Sequence, residues 1–198
     1  QVEHPVTEMV TGLDLVIAQL EIAQGEPLGP EFDDVEPHGH AIEVRLYAED
    51  PFRRFAPSPG KIQRLRLPQG PGVRNDSGVF GGSEISIHYD PMIGKLIVWG
   101  RDRDEALRRL GRAIDELRIV GIRTNVPLFQ ALLADADFRA ARFDIHWLDR
   151  RLESGELVSL ASEKVPEIVL IATPDHWHTK LAVEAMRAIT IVAIRGWC

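Results

Sequence analysis

The chain has a single cysteine, Cys198, among 198 residues. That excludes an internal disulfide and any multi-cysteine metal site, and a reducing cytoplasm is the matching compartment. It has no long apolar run and no secretory leader pattern, so neither membrane spanning nor export is indicated. Basic residues are in deficit, 23 against 30 acidic, and the formal charge of −7 argues against a nucleic-acid binder. His38 with His40, and His176 with His178, lack acidic or cysteine companions at ligand spacing, so no metal site is expected. No initiator Met precedes Gln1, and a chain that opens inside a motif reads as a fragment. What is present, 44% hydrophobic and 27% charged residues, suits an ordinary globular domain.

Thr11-Gly12-Leu13-Asp14 reads as a helix start, with Thr11 as N-cap and Asp14 in the capping-box position. Leu13, Val16, Ile17, Leu20 and Ala23 then repeat at helical spacing as a core face, and Gly25 marks the stop. Pro5 to Val10 suits one short helical turn. From His40 to Trp99 the pattern is strand-like: Ile42, Val44 and Leu46 alternate with Glu43, Arg45 and Tyr47. Ile62, Leu65 and Leu67 follow, then Ile85 and Ile87, then the most apolar strand, Ile93 to Trp99. Asp102 or Asp104 caps a helix with core face Leu107, Leu110, Ile114 and Leu117, and another helix runs from about Asn125 to Leu133. Ile119 to Ile122 reads as an edge strand, and Arg101, Arg103, Arg108, Arg109 and Arg112 as a solvated helix face. Strands and helices in blocks give an α+β fold, a small antiparallel sheet packed with helices.

Gln1-Val2-Glu3-His4-Pro5-Val6-Thr7-Glu8 places a carboxylate in a loop ahead of the first turn. Together with Gly39-His40-Ala41-Ile42-Glu43-Val44-Arg45-Leu46-Tyr47-Ala48-Glu49-Asp50-Pro51, this string resembles the biotin carboxylase family. So do Pro57-Ser58-Pro59-Gly60-Lys61-Ile62, Tyr89-Asp90-Pro91-Met92-Ile93-Gly94-Lys95-Leu96, Gly121-Ile122-Arg123-Thr124-Asn125-Val126 and Asp144-Ile145-His146-Trp147-Leu148. The resemblance runs in order to about residue 152. It implies the end of an ATP-grasp domain over 1–26 and a biotin carboxylase C-terminal domain over 38–152.

The resemblance also implies a chemistry: ATP activates bicarbonate to carboxyphosphate, which carboxylates biotin on a carrier protein. Glu3 matches the base that deprotonates bicarbonate, with Gln1, the Val2 N–H and Arg45 as anion donors. Arg45 matches the residue that stabilises the biotin enolate, a task suited to a planar, permanently charged fork. Read from the residues alone, Arg45, which alternates with Glu43, is rather one half of a cross-strand salt bridge. Asp90 matches a position near the biotin pocket. Ile145 matches an apolar contact to adenine, and from pattern alone it reads as a core residue ahead of the last helix. The implied cofactors are biotin, ATP and Mg²⁺. The implied partners are a biotin carboxyl carrier protein or domain, a second copy of the chain and a carboxyltransferase subunit. Arg74 and its Pro71-Gly72 turn are expected to serve the homodimer. The family's Gly-rich phosphate cover, nucleotide lysine and acidic Mg²⁺ ligands are not in this sequence, so the chain alone is expected to be inactive. A non-catalytic association module is the alternative.

Residues 165–198 differ in style. Ile168 to Ala172, the Thr173-Pro174-Asp175 turn, a helical stretch and Ile189 to Ile194 read as one βαβ unit. Val169 to His178 with Lys180 to Met186 resembles NAD(P)-dependent oxidoreductases of the glucose–fructose oxidoreductase and inositol dehydrogenase type. The dinucleotide fingerprint of that family is absent, so a remnant without dehydrogenase activity is expected.

Overall fold

The computed structural model describes residues 3–157, 169–171 and 192–194. Two short helices, α1 (His4–Thr11) and α2 (Leu15–Gln24), lead through a loop with one 3-10 turn (Pro30–Phe32) into the strands. These are β1 (His40–Tyr47), β2 (Glu49–Asp50), β3 (Ala56–Pro57), β4 (Gly60–Lys61), β5 (Arg64–Arg66), β6 (Val73–Ser77), β7 (Glu84–Ile85) and β8 (Met92–Gly100). Then come α3 (Arg103–Glu116), β9 (Arg118–Val120), α4 (Val126–Ala134), α5 (Ala136–Arg139) and α6 (Trp147–Glu153). Finally β10 (Val169–Ile171) and β11 (Val192–Ile194) pair in parallel. The helix expected between those two falls outside the described residues.

The α+β expectation holds, with a sheet smaller than the strand pattern suggests. One three-stranded antiparallel sheet, in the order β1-β8-β6, carries the site. Three two-stranded antiparallel ribbons, β2-β3, β4-β7 and β5-β9, surround it. β8 is central because its run of Ile93, Leu96, Ile97 and Val98 is fully buried. α3 covers one face of the sheet: Leu107, Leu110, Ala113 and Ile114 pack against Val44, Leu46, Leu96 and Val98. Asp102 caps α3 by accepting from the Glu105 N–H at 2.7 Å. A second cluster gathers Leu128, Ala131, Leu132 and Trp147 with Leu157. Gly39 enters β1 at φ +74°, and a Cβ there would run into the Gly100 carbonyl and the Trp99 ring.

Several expectations are corrected. Thr11 ends α1 and does not cap α2. It stays in α1 because its Oγ1 bonds back to the Thr7 carbonyl at 2.7 Å, and Asp14 is the N-cap, accepting from the Ile17 N–H at 2.8 Å. α1 spans two turns, longer than Pro5 to Val10 suggests. The apolar stripe of α2 is not core: only Ala18 is buried, and Val16, Ile17 and Leu20 are at least half exposed. Ile87 is exposed where strand alternation buries it, because β7 ends at Ile85. Two arginines of the supposed solvated face are structural. Arg109 donates to the Trp99 carbonyl and to Glu105, and Arg103 donates to the Phe138 carbonyl at 2.6 Å while stacking on its ring.

Candidate functional site

β1 turns Val44 and Leu46 toward α3, so strand alternation sends Glu43 and Arg45 to the opposite face, where α1 lies. Glu3 is the residue before α1, and its carbonyl accepts from the Thr7 N–H at 3.1 Å. Buried Pro5 in the first turn fixes the entry of the chain. The helix is anchored from beneath by Arg74 on β6. Its Nη1 donates to Glu8 Oε2 at 2.6 Å, and its Nε and Nη2 each reach Asp76 at 2.8 Å. Glu8 also accepts from the Leu15 N–H at 2.9 Å, tying α1 to α2. This framework holds the Glu3 carboxylate over the middle of β1.

There Arg45 Nη2 donates to Glu3 Oε2 at 2.7 Å, and Arg45 Nε lies 3.4 Å from Glu43 Oε1. Arg45 thus bonds along its own strand to Glu43 and across to Glu3, the residue that precedes α1. Lys95, directly opposite Arg45 in register, places Nζ 4.0 Å from Glu3 Oε2 and 3.9 Å from Glu43 Oε1. Glu3 and Arg45 are open to solvent, whereas Glu43 is only 6% exposed and its Oε2 has no hydrogen-bond partner. The Arg45 hydrogen bond holds the Glu3 carboxyl below its ordinary 4.5, against the opposing effect of burial; Arg45, Lys95 and His4 add through-space pulls. The same pairing raises Arg45 further. Two carboxylates and two cations thus converge with one buried lone pair unused, an arrangement that suits a small oxyanion bringing its own proton.

The remaining predicted residues stand apart from this cluster. Gln1 and Val2 lie outside the described residues. Asp90 is exposed and uses Oδ1 to accept from the Met92 N–H at 2.9 Å. Ile145 is 89% exposed, which overturns its reading as a core residue: the following turn buries Trp147 in its place. Sequence reasoning missed Lys95 and Glu43 as site members. The signal for Lys95 was available, as a lone cation inside the most apolar strand costs free energy unless it has partners.

The family described as Biotin carboxylase C-terminal domain matches residues 43–150. The chain belongs to the biotin carboxylase family. Residues 1–31 also match the family described as Carbamoyl-phosphate synthase L chain, ATP binding domain. The biotin carboxylase of Haemophilus influenzae is 49% identical over 156 residues, which cover 79% of this chain and 35% of that protein. The biotin carboxylase of Pseudomonas aeruginosa is 49% identical over 152 residues, covering 77% of this chain and 34% of the relative. Among solved structures, the biotin carboxylase domain dimer of Hydrogenobacter thermophilus 2-oxoglutarate carboxylase, in complex with MgADP, ADP and bicarbonate, superposes with a TM-score of 0.74 at 41% identity, over 79% of this chain and 34% of that one. The chain thus spans about a third of the length of the relatives it matches. Biotin carboxylases are ligases, and the mixed helix and antiparallel-sheet architecture agrees with these neighbours. Among the described residues no helix is long and apolar enough to cross a membrane.

Proposed function

We propose that this chain supplies the bicarbonate and biotin face of a biotin carboxylase, with Glu3 as base and Arg45 as oxyanion donor. The observation that supports this most is the 2.7 Å contact between Arg45 and Glu3, with Lys95 alongside. Bicarbonate entering between them takes hydrogen bonds from Arg45 and Lys95 through its oxygens. Its hydroxyl then points at the Glu3 carboxylate, which removes the proton. By drawing on Arg45, the anion weakens the contact that keeps the Glu3 carboxyl acidic, so the base strengthens as its substrate binds. Once bicarbonate has reacted, the Arg45 guanidinium is free to donate to the ureido oxygen of biotin as negative charge develops there. Gln1, Val2, Asp90 and Ile145 enter the proposal by motif alone, as anion donors, a biotin-pocket residue and an adenine contact.

ATP with Mg²⁺ would supply the activation of bicarbonate. The described residues do not fit that pair, since they contain no cluster of three acidic, His or Cys side chains able to hold a cation. No step through the nucleotide is therefore derived. The proposed partners are a biotin carrier protein or domain, a second copy of the chain and a carboxyltransferase subunit.

Bicarbonate-dependent carboxylation of free biotin tests the proposal. The chain is assayed alone and then with the remaining part of a matched biotin carboxylase supplied in trans. The chain alone should be inactive. In the reconstituted enzyme Glu3→Gln should lower kcat by about 10²–10⁴-fold, the range a positioned base supplies. Equal activity with glutamine at position 3 would overturn the assignment.

A further inference from the structure

Among the described residues β1 is an edge strand, and on its far side a slot of ≈ 320 Å³ separates it from α4 and α5. Ile42, Val44, Leu110, Phe129, Leu132 and Phe138 make its walls mostly apolar. Opposite residues in an antiparallel pair alternate between exchanging both backbone hydrogen bonds and exchanging none. Ala41 faces Trp99, Glu43 faces Ile97 and Arg45 faces Lys95. The Arg45 carbonyl is taken by Asn125 Nδ2 at 2.9 Å, and the Trp99 N–H by the Gly72 carbonyl at 2.9 Å. Both pairs are therefore of the non-exchanging kind, and Glu43, midway between, shares their class. The N–H and C=O groups of Ala41 and Glu43 point away from β8 into the slot.

The slot has two different ends. Asn125 closes one, accepting from the Tyr47 N–H at 2.9 Å as well as donating to Arg45. Arg103 stands at the other. Its guanidinium donates to the Phe138 and Arg139 carbonyls and lies 3.3 Å from His40 Nε2. Among the described residues no carboxylate forms an ion pair with it. Its charge reaches His40, whose pKa is lowered from 6.5 first by burial and then by Arg103.

We infer that this slot binds a short extended peptide, which adds a strand to β1 and places its C-terminal carboxylate on Arg103. A hydrocarbon chain with an acidic head would suit the walls and the arginine. It would leave the Ala41 and Glu43 amides unpaired, and a buried amide without a partner keeps its full desolvation penalty. A peptide backbone pairs them, its alternate apolar side chains fill the slot, and its terminus meets the cation. With the carboxylate at the His40 end, the peptide runs antiparallel to β1. This reading is independent of the carboxylation proposal, because it uses the backbone edge of β1 and not the side chains of Glu43 and Arg45.

The probe is an acetylated pentapeptide of alternating valine and threonine ending in leucine, titrated into the full chain. Calorimetry and amide hydrogen exchange are the readouts. Saturable 1:1 binding should slow exchange at the Ala41 and Glu43 amides by at least roughly tenfold, since each gains a hydrogen bond. Replacing the C-terminal carboxylate by an amide should weaken binding by about tenfold, and Arg103→Gln should erase that difference. N-methylation on the peptide edge facing β1 should abolish binding, while N-methylation on the opposite edge should leave it intact. This pair of peptides keeps the test independent of whether any variant folds. Equal affinity for acid and amide, unprotected Ala41 and Glu43, or occupancy by dodecanoate but not by the peptide would each overturn the inference.

Discussion

Glu3 presents a carboxylate that is a weak base as it stands, because Arg45 holds it ionised below 4.5. A base with so low a pKa removes protons poorly, so its usefulness depends on how far the Arg45 contact is relaxed. Removing the guanidinium should let the carboxyl titrate closer to 4.5, the value from which Arg45 lowers it. Carboxyl-carbon NMR on Arg45→Gln measures this, and an unmoved midpoint would show that Arg45 is not the cause. The stability consequence follows in sign. A depressed carboxyl stabilises the fold above its unfolded pKa and loses that contribution as pH falls through the lower folded value. The Glu3 contribution is therefore complete above about 4.5 and disappears on acidification, and Glu3→Gln should flatten that part of the acid limb in urea titrations.

At the scale of elements, the site depends on β1 being held in register at its open edge. Asn125 does this with one side chain, donating to the Arg45 carbonyl and accepting from the Tyr47 N–H, and it is itself buried. Asn125→Ala leaves both backbone groups without a partner and should cost about 2 kcal/mol in urea unfolding, with Asn125→Asp intermediate. An unchanged midpoint would mean that water replaces the amide. The sequence made β1, β8 and α3 legible because hydrophobic alternation and a capped helical face coincide there with burial. It did not reveal β6: Val73-Arg74-Asn75-Asp76-Ser77 is turn-like in composition and becomes a strand only by pairing with β8. The candidate site was half legible. Glu3 and Arg45 stood out by motif, whereas Lys95 joins them only through the cross-strand register, which no local pattern states. α2 was misread for the opposite reason, since helical spacing reports an apolar face without saying what covers it.

That uncovered face is a property of the whole molecule. Val16, Ile17 and Leu20 are each at least half exposed and share one face of a helix whose N-cap is properly made. Contiguous apolar surface of this kind marks a contact. α2 lies within the 1–31 segment that matches an ATP binding domain, while the chain covers only about a third of its relatives. The cover expected for α2 is therefore the rest of that domain. Ile17→Lys with Leu20→Lys should change the stability of the isolated chain little, because both side chains already meet water. The same double substitution should abolish reconstitution in trans with the remaining part of a matched biotin carboxylase, read by co-elution and by biotin carboxylation together. It should also lower binding of a hydrophobic dye to the isolated chain. Glu3→Gln serves as the counterpart, co-eluting normally while losing carboxylation, so assembly and chemistry are read separately. Normal co-elution of the double-lysine variant would show that α2 is not the joining surface.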